Sequence, residues 1–432
     1  MKTNRRIHTM KLAKGTQDIA PQDKIRKNKV VDTLREVFEL YGFAPLETPI
    51  IERYETLTAK SAAGDSSDAF NEVFKLSDQG KRKLGLRFDL TVPLARYVAM
   101  NPNLKMPFKR YAVGRVFRDG PIKLGRTREF WQMDVDTVGT KNMLADTECL
   151  ALADAAFTKL GFDVVIKVNN RKLLNGILEQ AGIVKNRSNA IISIDKLAKI
   201  GREGVSKELK ERGFGTKQIS ALFSILDGNT TLPKLKKIIT TDLGKEGIEE
   251  LAQVFSYLKS MNVQTAKFDV SLARGLGYYT GTVFEVFLKK GKITSSIAAG
   301  GRYDDMVGSF MGGGRIVPAV GISFGIVPIM ETVKEMQEGE MKTSTKVLVI
   351  PLGTVNESLA LVQQLRSMSV ASELGMGKKG VSKNLQYANA LGIPFVVILG
   401  EDELAKNKVL LRDMKTGDEK LISAAQLVKN IQ

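Results

Sequence analysis

Histidine is nearly missing from this 432-residue chain: His8 is the only one, and it lies in a basic N-terminal arm. That excludes a histidine-based catalytic triad and a multi-histidine metal site. Carboxylates, lysines, tyrosines or a substrate group are left as general bases. Cysteine is as scarce: Cys149 alone cannot close an intrachain disulfide, which agrees with a reducing compartment. No apolar run approaches the roughly 18 residues of a membrane helix. The basic opening MKTNRRIHTMKLAKG has no apolar stretch behind it, so it reads as the edge of the fold rather than a secretory signal. Low-complexity tracts and clear internal repeats are also lacking. The expectation is a cytoplasmic protein with no membrane partner.

The composition, 43% hydrophobic and 26% charged, is that of a globular protein, and 432 residues predict two or three domains. With 65 Lys+Arg against 47 Asp+Glu the formal charge is +18, which attracts a polyanion at long range. Nucleic acid is the first partner this suggests, although a solvated cationic surface gives the same number.

Residues 24–41 place Val30, Leu34, Val37, Phe38 and Tyr41 at helical spacing, with Gly42 as a stop. FAPLETPIIE then reads as a strand interrupted by Pro45 and Pro49, the pattern of an edge or an interface. Strand-like runs recur at AFNEVFKLSD, KLGLRFDLTV, FKRYAVGRVFRD and REFWQMDVDTVG, as an antiparallel sheet requires. A helix follows at 144–160. From about 170 to 260 the texture is Lys-, Leu- and Glu-rich, with breakers at Gly182, Gly213, Gly228 and Pro233, and predicts an inserted helical domain. Strand character resumes at FDVSLARGLGYYTGTVFEVFL, followed by a glycine-rich stretch. After a polar linker near 335–345, alternating strands and helices over 345–432 predict a small parallel-sheet domain.

Within FKRYAVGRVFRDGPIKLGRTREFWQMDVD, at 108–136, two strands flank a loop carrying Arg118, Arg126 and Arg128. Asp134 and Asp136 share one strand face by the two-residue period. Arginine suits phosphate because its planar fork donates in pairs. The residues alone also fit a hairpin with surface salt bridges. This segment resembles motif 2 of the class II aminoacyl-tRNA synthetases, and its ending GRTREFWQMDVD is similar to the histidyl branch. The resemblance implies that Arg118 contacts the ATP α-phosphate and the amino-acid carboxylate, that Gln132 and Asp136 line a histidine pocket, and that the loop 119–125 faces the acceptor end of tRNA. It further implies ATP contacts from Arg126, Arg128 and Glu129.

ARGLGYYTGTVFE at 273–285 resembles the first histidine-specific motif of that family, with Gly277 where the family has Asp. Arg274 matches its catalytic arginine, and Tyr278 and Tyr279 its pocket residues. AAGGRYDDMVGSF at 298–310 resembles the second such motif, with Tyr303 set to cap the imidazole and the paired glycines allowing close approach to a ligand. LRFDLTVPLARY resembles the segment that supplies an acid and a threonine to the substrate ammonium, here Asp89, Leu90 and Thr91; strand periodicity puts Asp89 and Thr91 on one face. GFAPLETPIIE resembles motif 1, which places Pro49 at a two-fold dimer interface. Residues 345–432 resemble the family's anticodon-binding domain, with Lys378, Lys379 and Lys383 on a basic helix.

One departure is sharp. Motif 3 ordinarily ends in Glu-Arg, but VGISFGIVPIM has Val327 and Pro328 there, and neither can hold a phosphate; Arg315 is a nearby replacement. The resemblance spans nearly the whole chain. It implies an α+β fold: a class II antiparallel-sheet catalytic domain over 1–335 with a helical insertion at about 170–260, and a C-terminal α/β anticodon-binding domain over 345–432. It implies ATP-dependent ligation of L-histidine to tRNA(His) through a histidyl-adenylate, with Mg²⁺, by a homodimer. Two other readings stand beside it: a histidine-binding paralogue serving as regulatory subunit of ATP phosphoribosyltransferase, and a nucleic-acid-binding module without catalysis.

Overall fold

A computed structural model describes residues 11–59, 72–122, 126–226, 230–275, 277–336, 342–376 and 380–431. Two compact units are distinguished, one built on Val30–Glu335 and the other running from Met336 onward, with short N-terminal stretches assigned to each.

Helix α1 (Pro21–Leu40), which belongs to the first unit from Val30 onward, buries Val30, Leu34, Val37 and Phe38, and ends at Gly42, whose φ of +75° is a left-handed conformation. Next come β1 (Ala44–Pro45), β2 (Ile51–Arg53), α2 (Tyr54–Leu57), β3 (Lys75–Ser77), β4 (Lys83–Leu86) and α3 (Thr91–Met100). The long hairpin β5 (Phe108–Phe117) and β6 (Glu129–Val138) leads to α4 (Met143–Lys159) and β7 (Val164–Asn170). The insertion holds α5 (Arg171–Gln180), α6 to α9 (Arg187–Ile194, Leu197–Glu211, Thr216–Leu226 and Leu232–Ile238) and α10 (Asp242–Ser260). The unit closes with β8 (Ala266–Phe268), β9 (Thr282–Leu288), β10 (Ala298–Arg302), α11 (Asp304–Met311), β11 (Ala319–Gly325) and α12 (Ile326–Met336).

The main sheet has the order β1-β5-β6-β11-β10-β9-β7-β8, with β2-β4-β3 forming a separate small sheet. All pairs from β5 to β7 are antiparallel, and the two outermost, β1 with β5 and β7 with β8, are parallel. The motif 1-like segment is therefore two short strands in two sheets, with β1 and its Pro45 at an edge. Strand β6 divides by the period of two: Met133 and Val135 enter the apolar core, while Gln132, Asp134 and Asp136 face the other way. That polar face is the floor of the candidate site.

The insertion has no core of its own. Leu173, Ile177, Ile191, Leu209, Phe223, Leu251 and Leu258 belong to one continuous apolar cluster with Met133, Val135 and Phe324 of the sheet. Helices α5 and α10 also meet backbone to backbone: a Cβ on Gly176 would lie 2.4 Å from the Gly244 Cα, and one on Gly247 would lie 2.4 Å from the Leu173 nitrogen. The helical insertion expected from texture packs as an outgrowth of the sheet's helical layer.

In the second unit, β12 (Val347–Leu352), α13 (Val355–Ser367), β13 (Ser372–Leu374), α14 (Val381–Leu391), β14 (Phe395–Gly400), α15 (Glu401–Ala405), β15 (Val409–Asp413), β16 (Glu419–Ile422) and α16 (Ala424–Ile431) build a sheet of order β13-β12-β14-β15-β16. Val347 and Val349 pack on one face and Leu348 and Ile350 on the other, which explains the unbroken apolar run. The parallel-sheet expectation fails at one edge, where β14–β15 and β15–β16 are antiparallel. The five-residue α15 is too short for a crossover. The β15–β16 turn is a tight one, with the Asp413 carboxylate accepting from the Lys415 and Thr416 amides. Lys383 is exposed on α14, and Lys378 and Lys379 lie outside the described residues.

Candidate active site

The register of β5 against β6 puts Arg110 opposite Asp136. Their side chains form an ion pair of 2.7 Å (Nη2 to Oδ2), both almost without solvent exposure. Arg110 Nη2 also donates to the Leu90 carbonyl (2.9 Å), and the Tyr303 hydroxyl donates to Asp136 Oδ1. Glycines make the space: a Cβ on Gly321 would stand 2.0 Å from Asp136 Oδ1, and one on Gly301 would stand 2.9 Å from the Tyr279 ring. The paired-glycine segment thus admits an aromatic ring and a neighbouring strand.

Gln132, Asp134 and Asp136 follow one another along the same face. Gln132 Nε2 donates to Ser323 Oγ (3.0 Å), which fixes the amide and leaves its buried Oε1 without a partner. Asp134 lies opposite Ser323 in the β6–β11 register. Burial pushes its carboxyl up to about 7, against the pull of Arg110 and the Ser323 hydroxyl and with Asp136 adding to the rise. Between pH ~4 and ~7 the folded protein therefore keeps a proton that the unfolded chain releases, so this group makes stability fall as pH rises through that window. Asp134→Asn is expected to melt with the wild type near pH 4 and above it at pH 8. Trp131, the only tryptophan, sits on β6 and reports the transition by fluorescence. A mutant that melts below wild type at pH 8 would show that the carboxylate is needed charged.

Asp89 and Thr91 are not on a strand. The strand ends at Leu86 and Thr91 opens α3, where Asp89 Oδ1 accepts from the Val92 amide (3.0 Å). The apolar pattern of LRFDLTV is that of a strand, but the aspartate satisfies free helix donors instead. Burial raises the Asp89 carboxyl to about 6, opposed by the Val92 and Thr91 amides and by Arg118 and Arg110. Arg118 donates through Nε to the Phe88 carbonyl (3.1 Å), and its guanidinium lies 5.2 Å over the Phe130 ring.

On the far wall, Arg274 pairs with Glu285 of β9 (3.1 Å) and lies 5.4 Å over the Tyr279 ring. Tyr278 and Tyr279 occupy the turn before β9 and not a strand. Tyr279 is buried, and Tyr278 meets Tyr303 edge-on with centroids 6.2 Å apart. The Tyr278 and Tyr303 hydroxyls are held above the ordinary tyrosine range by burial.

The expected residues thus converge, with three exceptions. Arg128 pairs with Asp119 (2.9 Å) and its amide donates to the Gly15 carbonyl. Glu129 pairs with Arg115 (2.8 Å). Arg126 is exposed at the end of the loop, of which 123–125 lie outside the described residues. Val327 and Pro328 sit in the first turn of α12, and Arg315 is exposed in the α11–β11 connection. Sequence reasoning missed Arg110, Glu285 and Ser323. A lone charge inside an apolar strand was the available signal for Glu285 in TVFEVFL, whereas Arg110 stands beside Lys109 in FKRYAVGRVF and carried no such signal.

A family model described as Histidyl-tRNA synthetase matches residues 15–329, and one described as Anticodon binding domain matches 346–432. The chain belongs to the histidyl-tRNA synthetase family. It is 44% identical over 426 residues to histidine--tRNA ligase 1 of Bacillus cereus (strain ATCC 10987 / NRS 248), covering 98% of this chain and 97% of that protein. It is 38% identical to the histidine--tRNA ligase of Clostridium tetani, with 97% of each chain covered. The histidyl-tRNA synthetase structure from Nostoc sp. PCC 7120 superposes with a TM-score of 0.86 at 32% identity, covering 98% of both chains. An ATP phosphoribosyltransferase regulatory subunit/histidyl-tRNA synthetase from Bacillus halodurans C gives 0.74 at 25% identity, covering 88% of this chain and 96% of that one.

Proposed function

We propose that the chain ligates L-histidine to tRNA(His) at the expense of ATP. The observation that carries this reading is the buried chain Arg110–Asp136–Tyr303, a polar wall lying in one unit with Arg118 and Arg274. A histidine carboxylate oxygen attacks the α-phosphorus of ATP, the bond to the β-phosphate oxygen breaks, and histidyl-adenylate and pyrophosphate result. A terminal ribose hydroxyl of tRNA then attacks the carbonyl carbon and AMP leaves. With His8 the only histidine, an adenylate phosphate oxygen serves as the proton acceptor of that second step.

In this reading Asp89, with the Leu90–Thr91 segment, receives the substrate ammonium, and the free Oε1 of Gln132 accepts from it. Asp136, through Tyr303, and Tyr278 with Tyr279 enclose the imidazole. A wrong amino acid would leave these buried polar groups unpaired, at a cost of about 1–3 kcal/mol each. Arg118 and Arg274 neutralise charge growing on the α-phosphate. Among the described residues no group of three His, Cys, Asp or Glu could hold a metal ion. Mg²⁺ would therefore come on the ATP phosphate oxygens, and no step above runs through it.

The proposal extends to a cytoplasmic homodimer with a catalytic part over 1–335 and an anticodon-binding part over 345–432. Its support is the edge position of β1 and the exposed apolar Leu40, Ile50 and Ile51 around the motif 1-like segment. No helix of the described residues is long and apolar enough to cross a membrane. The regulatory-subunit reading is not favoured, given a match along nearly the whole chain to histidine--tRNA ligases. Pyrophosphate exchange with ATP and each of the twenty amino acids, followed by aminoacylation, tests the reading. Exchange with histidine alone, followed by charging, is the expected result, and histidine binding without exchange would overturn it.

A further inference from the structure

The segment 273–281 carries Arg274, Tyr278 and Tyr279, and a single residue of the insertion grips both of its ends. Arg171, the first residue of α5, is 5% exposed. Its Nη1 donates to the carbonyls of Ala273 and Arg274, both at 3.2 Å. Its main-chain amide donates to the Gly281 carbonyl (2.7 Å). Two residues earlier on the same side of the chain, the buried Asn169 donates through Nδ2 to the carbonyls of Val270 (2.9 Å) and Leu272 (2.8 Å).

These bonds matter because of the backbone they hold. Arg274 has φ +47°, a left-handed conformation that a non-glycine residue adopts only when its surroundings impose it. Released from that conformation, the Cα–Cβ bond would swing the guanidinium off Glu285 and the Tyr279 ring. The base of the grip is itself fixed. Asn170 Oδ1 caps α5 at the Lys172 amide (2.8 Å), and Asn170 Nδ2 reaches Glu250 (2.7 Å). Lys172 pairs with Glu246 (2.6 Å) and Glu250 (2.5 Å) of α10.

We infer that Arg171 is a positioning residue for adenylate formation: its guanidinium, by holding the Ala273 and Arg274 carbonyls, keeps Arg274 in the left-handed conformation from which its side chain reaches the α-phosphate. The inference rests on the proposed role of Arg274. Arg171 touches no substrate; it acts through Arg274. A side-chain substitution removes the 273–274 contacts and spares the amide bond to Gly281, so the tyrosine end of the segment keeps its anchor.

The test is Arg171→Met, close in volume to the original, assayed by histidine-dependent pyrophosphate exchange in the full-length protein. The expected result is a kcat about 10- to 100-fold lower, the scale of a misplaced catalytic group. KM for histidine stays near wild type, while the Trp131-monitored melting temperature falls by a few degrees because the two carbonyls lose their donor. In an Arg274→Ala background the same substitution should have almost no further effect, because the group it positions is gone. Should Arg171→Met fail to fold, Arg171→Lys, whose ammonium reaches one carbonyl, is expected to lose roughly 3- to 10-fold in kcat. If Arg274→Ala is slow while Arg171→Met or Arg171→Lys matches wild type, or if the two losses multiply in the double mutant, the inference fails and the role of Arg274 survives. If Arg274→Ala is as fast as wild type, the reading beneath it fails instead.

Discussion

Replacing Arg274 by alanine is expected to slow histidine-dependent pyrophosphate exchange about 1,000-fold, or roughly 4 kcal/mol of barrier, the scale of removing one donor aimed at developing charge. The attack of a carboxylate on the α-phosphorus adds negative charge to that phosphate. Among the described arginines of this wall, Arg274 is tied only to Glu285 and an aromatic face, and so is free to turn its remaining donors to a ligand. tRNA affinity should be nearly unchanged in a filter-binding assay, since the substitution leaves the basic surface at +17 against +18, one charge fewer. A loss below ~10-fold would remove Arg274 from the chemical step.

Asp136→Ala should cost both fold and selection. It strands the Arg110 guanidinium, fully buried and otherwise bonded to the Leu90 carbonyl, and takes the acceptor from the Tyr303 hydroxyl. Breaking a buried pair from one side costs about 3–5 kcal/mol. The lower end applies here, because Asp134 lies close enough to Arg110 to feel its charge and can ionise in compensation. Trp131 fluorescence, five residues away on β6, follows the unfolding of this unit alone. The double change Arg110→Met with Asp136→Leu should recover most of the lost stability, since it removes both charges from the interior, yet stay inactive with histidine. Recovery of activity in that pair would show that the imidazole is read elsewhere.

The polar floor of the site was legible because β6 obeys a period of two: the spacing that sends Met133 and Val135 into the core sends Gln132, Asp134 and Asp136 to the opposite face. Resemblance then supplied the distant walls, Arg274 and Tyr303, which no local pattern connects to β6. What stayed hidden was set by register and by helix ends. Asp89 reads as part of a strand until the free amides of α3 claim its carboxylate. Arg110 reads as surface charge until the hairpin register lays it on Asp136. The C-terminal sheet reads as parallel because β12 and β14 are apolar on both faces, while its reversal depends on the length of α15 and on a turn at Asp413. Arg171 carries no local sign of its role at all, since its acceptors lie about a hundred positions further along the chain.

The glycine contact between α5 and α10 sets how motion travels through the insertion. A helix pair separated by leucines can roll or slide as rotamers readjust, absorbing a displacement of an ångström in soft packing. Where Gly176 and Gly247 bring main chain against main chain there are no rotamers to yield, and any roll meets hard-core repulsion at once. The two helices therefore move as one stiff lever whose short arm is Arg171, so that a load placed on the insertion is delivered to the backbone of Arg274 rather than dissipated on the way.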